Sequence, residues 1–214
     1  MNLLNNYWSF QSAIPPRICD DIIKYGLEQQ EQRALTGDFN EKKDLNKKDV
    51  KKLHKKRKSN VVWMNDKWIY KEIHPYINTA NRNANWNFEW DWSESCQFTK
   101  YKLNQFYDWH CDSNEKPYDK PSEPNSHGKI RKLSTTVSLV DSSEYEGGDF
   151  VFIEGKEIKR SSELKKGCGV FHSGDVIHSI EPVTKGTRWS LVSFFFAEDG
   201  QGNEWCTDEN KVIF

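Results

Sequence analysis

From Asn87 onward the apolar residues change period from that of a helix to two, and this switch constrains the fold more than any other feature of the chain. Phe88, Trp90 and Trp92 alternate with polar residues, Phe98 and Tyr101 follow, and Phe106 to Asp112 is again rich in aromatic side chains. Aromatic residues on alternate positions suit the pleated, half-buried surface of a sheet. Further strands are predicted at Leu133 to Val140, Gly148 to Ile153, Gly169 to His172, Val176 to Val183 and Arg188 to Ala197, separated by Asp-Ser-Ser, Gly-Gly, Ser-Gly and Lys-Gly-Thr turns. Short strands at this spacing suggest a sandwich, jelly roll or barrel. Between Ser113 and Lys132 the residues Pro117, Pro121, Pro124 and Gly128 mark a long loop that directly follows Asp112, as a lid or a surface insertion would.

Before the switch the pattern is helical. Ile22, Ile23 and Leu27 follow Pro15 and Pro16, which suit a helix start, and Trp68, Ile69, Ile73, Tyr76, Ile77 and Ala80 form a second stripe interrupted by Pro75. Between them, Lys42 to Lys58 holds ten Lys/Arg residues against Asp44 and Asp49, although the whole chain has a formal net charge of −1. Such a run reads as a solvated helix or a phosphate-binding arm apart from the β core. A chain of 214 residues fits one domain. Its parts are a helical support over 1–86 that includes the basic segment 42–58, a β core over 87–197, and a C-terminal tail over 198–214 containing Trp205. Cys19, Cys96, Cys111, Cys168 and Cys206 are odd in number and lack a CxxC, so reduced thiols are expected. With 29% charged residues and no spanning apolar run, a cytoplasmic, non-membrane protein is expected.

His110-Cys111-Asp112 puts an imidazole and a carboxylate two residues apart, on one face of a strand. With a second histidine they form a two-histidine, one-carboxylate facial triad, which favours non-haem iron(II) and leaves coordination positions open for dioxygen. The second histidine is to be found among His127, His172 and His178, of which His178, in the alternating Val176-Ile-His-Ser-Ile180, fits best. Ten residues on, Arg188 shares a strand face with Ser190 in an apolar segment. A buried guanidinium needs an anion, and a dicarboxylic cosubstrate would supply one. An internal Asp or Glu would serve equally.

Tyr101, the segment Phe106-Tyr-Asp-Trp-His110-Cys-Asp112-Ser113, the strand Leu133 to Asp141, Tyr145-Glu-Gly-Gly148 and His178-Ser-Ile-Glu-Pro-Val-Thr-Lys-Gly-Thr-Arg188-Trp-Ser190 together resemble the iron(II) and 2-oxoglutarate-dependent prolyl 4-hydroxylase family, over roughly residues 96–197. The resemblance implies a mainly β protein with N-terminal helices, folded as a double-stranded β-helix or jelly roll. It implies His110, Asp112 and His178 as iron ligands, Arg188 as the group holding the distal carboxylate of 2-oxoglutarate, and Tyr101 and Ser190 as its helpers. Iron(II), 2-oxoglutarate and dioxygen are the implied cofactors, with ascorbate a candidate reductant, and no catalytic residue is implied beyond the metal ligands. The implied substrate is a prolyl residue of a peptide or protein. A free amino acid, a small metabolite or nucleic acid are the competing substrates, and a non-enzymatic β-barrel binding module is the competing class. Phe194 stands where nucleic-acid demethylases of this chemistry carry a second Arg, which counts against nucleic acid.

Overall fold

The computed structural model describes residues 5–39, 44–154, 157–161 and 164–198. Most of the predicted tail, with Trp205 and Cys206, lies outside them. The N-terminal part runs β1 (Tyr7–Phe10), α1 (Pro16–Leu27), β2 (Gln32–Arg33), α2 (Lys47–Lys56), β3 (Arg57–Lys58), β4 (Asn60–Met64) and α3 (Lys67–Asn83). There follow β5 (Trp92–Ser93), β6 (Cys96–Tyr101), β7 (Phe106–His110), β8 (Lys129–Ser138), β9 (Tyr145–Gly147), β10 (Phe150–Glu154), β11 (Glu157–Ser161), β12 (Gly169–Ser173), β13 (His178–Ile180), β14 (Val183–Gly186) and β15 (Arg188–Glu198). The larger sheet has the order β1-β12-β8-β15-β6-β4-β2, with β5 also paired to β15. The smaller has the order β11-β10-β13-β7-β3, and β9 pairs with β14. From β6 on, the chain steps between the two sheets: β6, β8, β12 and β15 lie in the larger, β7, β10 and β13 in the smaller.

Two cores follow from this layering. Ile22 of α1 and Ile69, Ile73 and Ile77 of α3 pack with Phe98, Leu133, Leu191 and Phe195 of the larger sheet. Tyr101, Phe150, Phe152, Val170, Ile180 and Val183 form a second cluster drawn from both sheets. The larger sheet is therefore buried on both faces, which is why β8 is buried almost throughout and apolar or small from Leu133 to Ser138. Helix α1 approaches so closely that a Cβ at Gly26 would fall 2.4 Å from the Phe98 ring. Helix α3 continues through Pro75, because its stripe of buried isoleucines outweighs a missing hydrogen bond that costs about 3 kcal/mol.

Three sequence expectations change. Phe88 and Trp90 do not form a strand: Asn85 and Asn87 adopt left-handed backbone, and the Asn81 side chain accepts from Phe88 N at 3.0 Å and donates to Phe88 O at 2.8 Å, taking the backbone groups a ladder would use. The strand expected from Val176 to Val183 is broken into β13 and β14 at Pro182, which has no N–H to give. The first 86 residues are also more than helical, since β4 pairs with β6, β3 with β7 and β1 with β12. At two to five residues these strands are too short to show a period.

Of the basic run, Lys42 and Lys43 lie outside the described residues, and Lys47–Lys56 forms the expected solvated helix, α2, which is also tied to the core. Asn46 caps α2 by accepting from Lys48 N and Asp49 N, Leu53 is fully buried, and Lys47, Lys48, Lys51, Lys52 and Lys55 face solvent. Arg57 then turns inward. It donates to Leu35 O at 3.1 Å, Ser59 Oγ at 3.0 Å and Gln97 Oε1 at 3.3 Å, and its guanidinium lies 4.4 Å over the Tyr107 ring. Replacing those five lysines together by Gln should leave the melting temperature nearly unchanged, whereas Arg57→Ala, which strands buried acceptors, should cost about 1–3 kcal/mol. Thermal denaturation of the two variants checks this; equal losses would make the run a single electrostatic unit.

Candidate metal and carboxylate site

His110 ends β7 and His178 begins β13, and the antiparallel register sets them directly opposite each other. Asp112 lies just beyond β7, where its N–H donates to Gly174 O at 2.9 Å and the Ser113 N–H donates to the same oxygen at 2.8 Å. Gly174 has no room for a side chain, since a Cβ would fall 2.3 Å from Arg131 O. Arg131 donates to Asp112 O at 3.3 Å while its Nη2 holds both oxygens of Glu94, at 2.9 and 2.7 Å. The carboxylate is thus positioned through its backbone by a part-buried ion pair that the sequence reading did not single out.

The ligand atoms of His110, Asp112 and His178 lie within 4.8 Å of one another. His110 Nε2 is 3.6 Å from Asp112 Oδ1, and His178 Nε2 is 3.7 Å from Oδ2. Each ring is fixed by its other nitrogen, which donates to Asp108 O at 2.7 Å or Val176 O at 2.9 Å, so that Nε2 is left with its lone pair free for a metal. Tyr107 stacks on His110 at 3.4 Å between centroids and Phe150 on His178 at 5.1 Å. Of the other two histidines considered, His127 is half-exposed beside Asp119, away from this group, whereas His172 stands beside it, with Nε2 3.8 Å from Asp112 Oδ2. It has no hydrogen-bond partner on Nε2 among the described residues, an arrangement that costs about 1–3 kcal/mol.

Electrostatics suit a cation. Burial drives the His110 imidazole well below its ordinary value, helped by the charge of His178 and opposed by Asp112. Burial and His178 likewise bring His172 down to about 4 against the pull of Asp112. For Asp112, burial pushes the carboxyl up, but His178, His110, His172 and Arg131 outweigh it and bring it down to about 2. A neutral His110 beside an ionised Asp112 matches the protonation states that metal ligation requires.

Arg188 opens β15 directly opposite Tyr101 of β6, and its guanidinium lies 5.5 Å from the centre of that ring. It is 1% exposed, donates to Ser190 Oγ at 3.1 Å, and leaves Nε and Nη2 without a partner among the described residues. Of the two anions the sequence allowed, an internal Asp or Glu is therefore not in place. Gly148 makes way for this arginine, since a Cβ there would fall 3.1 Å from Arg188 Cδ. His110, Asp112, His178, Tyr101, Arg188 and Ser190 all line one cavity of about 900 Å³. Its outer wall includes Gln32 to Gly37 and residues of the long loop. That loop is anchored by a bridge between Tyr118 and His127 and by the Tyr118 ring against Phe196.

The sequence pattern of the 2OG-Fe(II) oxygenase superfamily matches residues 96–196. This segment belongs to that superfamily. The oxygenase segment carries every residue of the site, and its donor set, two imidazoles, a carboxylate and an unpaired guanidinium, fits both iron(II) and a dicarboxylate. The chain is 32% identical over 103 residues to a PKHD-type hydroxylase of Pseudoalteromonas atlantica, covering 48% of this chain and 42% of that one. It is 35% identical over 83 residues to one of Paracoccus denitrificans, covering 38% and 35%. It thus spans less than half the length of these curated relatives. Its fold is similar to that of the viral collagen prolyl hydroxylase of Paramecium Bursaria Chlorella virus-1, with TM-score 0.61, 18% identity and coverage of 90% of this chain and 97% of that one. A Pseudomonas putida prolyl-4-hydroxylase matches with TM-score 0.60, 16% identity and coverage of 90% and 93%. No helix among the described residues is long and apolar enough to cross a membrane.

In the metal-free protein the depressed histidines set a pH dependence. Between the ordinary 6.5 and the folded value of about 4 for His172, the unfolded chain binds more protons than the folded one, so stability present above pH 6.5 should be lost as pH falls towards 4. Asp112 adds a second loss between 3.8 and about 2. Urea denaturation of the chelator-treated protein at a series of pH values measures this, and flat stability from pH 6.5 to 4 would contradict it.

Proposed function

We propose that this chain is an iron(II) and 2-oxoglutarate-dependent hydroxylase of a prolyl residue in a peptide or protein, folded as a double-stranded β-helix. The observation that carries the reading is the unpaired Arg188 guanidinium, buried in the same cavity as a two-histidine, one-carboxylate set. An arginine in that state needs a carboxylate, and a keto acid bound between it and the metal provides one. The stepping of β6 to β15 between two facing sheets supports the jelly roll.

His110, Asp112 and His178 would hold the metal through Nε2, a carboxylate oxygen and Nε2. Arg188, assisted by Ser190 and the Tyr101 ring, would hold the far carboxylate, and Phe150 and Ile180 line the same cavity and help exclude water. When bound, iron(II) and 2-oxoglutarate supply the oxidising power, with dioxygen consumed as 2-oxoglutarate is converted to succinate and carbon dioxide. Orientation and water exclusion are then the protein's tasks, and no side-chain acid or base is required. Support for a prolyl substrate comes from the solved structures of similar fold, which include prolyl hydroxylases, one of them in complex with a peptide fragment. A cavity of about 900 Å³, lined also by Gln32 to Gly37 and by residues of the 113–131 loop, is in keeping with a substrate larger than the keto acid alone.

Removal of a ligand is the first test. His110→Ala, Asp112→Ala and His178→Ala should each abolish iron-dependent succinate release, and His127→Ala should not; an active His178→Ala variant would reject the ligand set. The second concerns Arg188. Arg188→Met should raise the 2-oxoglutarate requirement by roughly 100-fold, as expected for about 3 kcal/mol of buried pairing. It should not lower the melting temperature of the ligand-free protein, where the guanidinium is unpaired. Unchanged 2-oxoglutarate dependence would make Arg188 structural. For the substrate, mass spectrometry of proline-containing peptides after incubation with iron(II), 2-oxoglutarate and dioxygen should show a gain of one oxygen atom on proline. Oxygen placed on another residue would reject the prolyl reading while leaving the oxygenase reading intact.

A further inference from the structure

His110, His172 and His178 are held alike. Nδ1 of each lies against a backbone carbonyl, Asp108 O at 2.7 Å, Ser173 O at 2.8 Å and Val176 O at 2.9 Å. A carbonyl only accepts, so each Nδ1 carries the ring hydrogen and each Nε2 presents a lone pair. All three lone pairs converge on one carboxylate: His110 Nε2 is 3.6 Å from Asp112 Oδ1, and His178 and His172 Nε2 are 3.7 and 3.8 Å from Oδ2. Acceptors gathered around an anion out of water repel unless a cation or a hydrogen-bond donor stands among them.

For His110 and His178 the metal is that cation, because their Nε2 atoms and the Asp112 carboxylate meet the mutual spacing of a ligand set. His172 is not part of the set that meets this spacing, so it is a neighbour of the metal position and not a fourth ligand. Yet it is 1% exposed, its Nε2 has no partner among the described residues, and it sits between Tyr7 of β1 and Ser134 of β8, which fix its place in the sheet. Its ring centroid is 4.6 Å from that of His178. A residue needed only to fill this space next to Phe150 would be served by an apolar ring, without a stranded acceptor.

We propose that His172 is a positioning residue of the metal site, its Nε2 accepting a hydrogen bond from a water that occupies one of the positions the three protein ligands leave free. The inference rests on the ligand assignment made above. Through that water His172 sets how firmly the exchangeable position is filled before cosubstrate or dioxygen displaces it, and so contributes to metal retention in the resting protein.

Cobalt(II) titration of the chelator-treated full chain, followed by visible absorption, tests this without turnover. His172→Phe should keep a melting temperature close to the parent's, bind cobalt(II) about ten-fold more weakly, and show stronger visible bands as the unanchored water leaves and the coordination number falls. His172→Gln, whose amide oxygen can accept, should recover much of the parental affinity and spectrum. A His172→Phe protein with parental affinity and spectrum overturns the proposal and makes His172 a packing residue. The unsubstituted protein gives a second readout that does not depend on any variant folding. On addition of zinc(II), the ¹⁵N resonance of His172 Nε2 should move by the modest amount of a new hydrogen bond, whereas no movement, or the large movement shown by His110 and His178, overturns it. His110→Ala separates this from the underlying assignment: if that variant also binds cobalt(II) like the parent, the ligand set itself fails, and if it does not, only the role of His172 is at stake.

Discussion

The site depends on one antiparallel pairing, that of β7 with β13. It places His110 opposite His178, and a one-residue slip would turn one of the two imidazoles to the other face of the sheet. Neighbouring contacts hold that register. Tyr107 and Phe150 stack on the two rings, Arg57 covers the far side of Tyr107, and the carbonyls of Asp108 and Val176 fix the orientation of each imidazole. The third donor is not on the strands at all. Asp112 is held just beyond β7 by Gly174 and by the Arg131–Glu94 pair, so its placement follows from how β8 and the turn after β12 meet.

Charge is distributed around this pairing in two different ways. At the metal position, burial disfavours charge on His110 and His172 while the Asp112 carboxyl is held low beside the histidines and Arg131, an arrangement ready for a cation. At the other end of the cavity, Arg188 carries a full charge with two nitrogens unpaired, an arrangement ready for an anion. Arg131 is the contrast: part-buried, its Nη2 is held by both oxygens of Glu94, and it serves structure and positioning. A molecule with a metal-chelating end and a carboxylate end bridges the two unsatisfied poles, which is why the cavity is read as a single site.

The N-terminal segment belongs to the same construction. Its helices cover one face of the larger sheet, while β3 and Arg57 brace the strand that bears His110. The lysine-rich helix α2 is exposed on one side and anchored by Leu53 on the other, so its charge and its structural duty reside in different residues.

Local pattern was enough for much of this. The period-two aromatic runs foretold β6, β7 and β15, the prolines and isoleucine stripes foretold α1 and α3, and His110-x-Asp112 with His178 and Arg188 could be picked out because each breaks an otherwise apolar or alternating segment. What the chain could not announce are contacts between residues distant in sequence. The strand character of residues 7–10, 57–58 and 60–64 exists only through partners supplied by β12, β7 and β6. The turn inward of Arg57, the Arg131–Glu94 pair and the approach of His172 to Asp112 are set by sheet packing across tens of residues. The sequence by itself determined which side chains could bind a metal and a carboxylate, since that is a property of residue type; only the tertiary structure decided that His178 faces His110 and Asp112, that His172 stands beside them, and that Arg188 meets no carboxylate among the described residues, since those depend on strand register and burial.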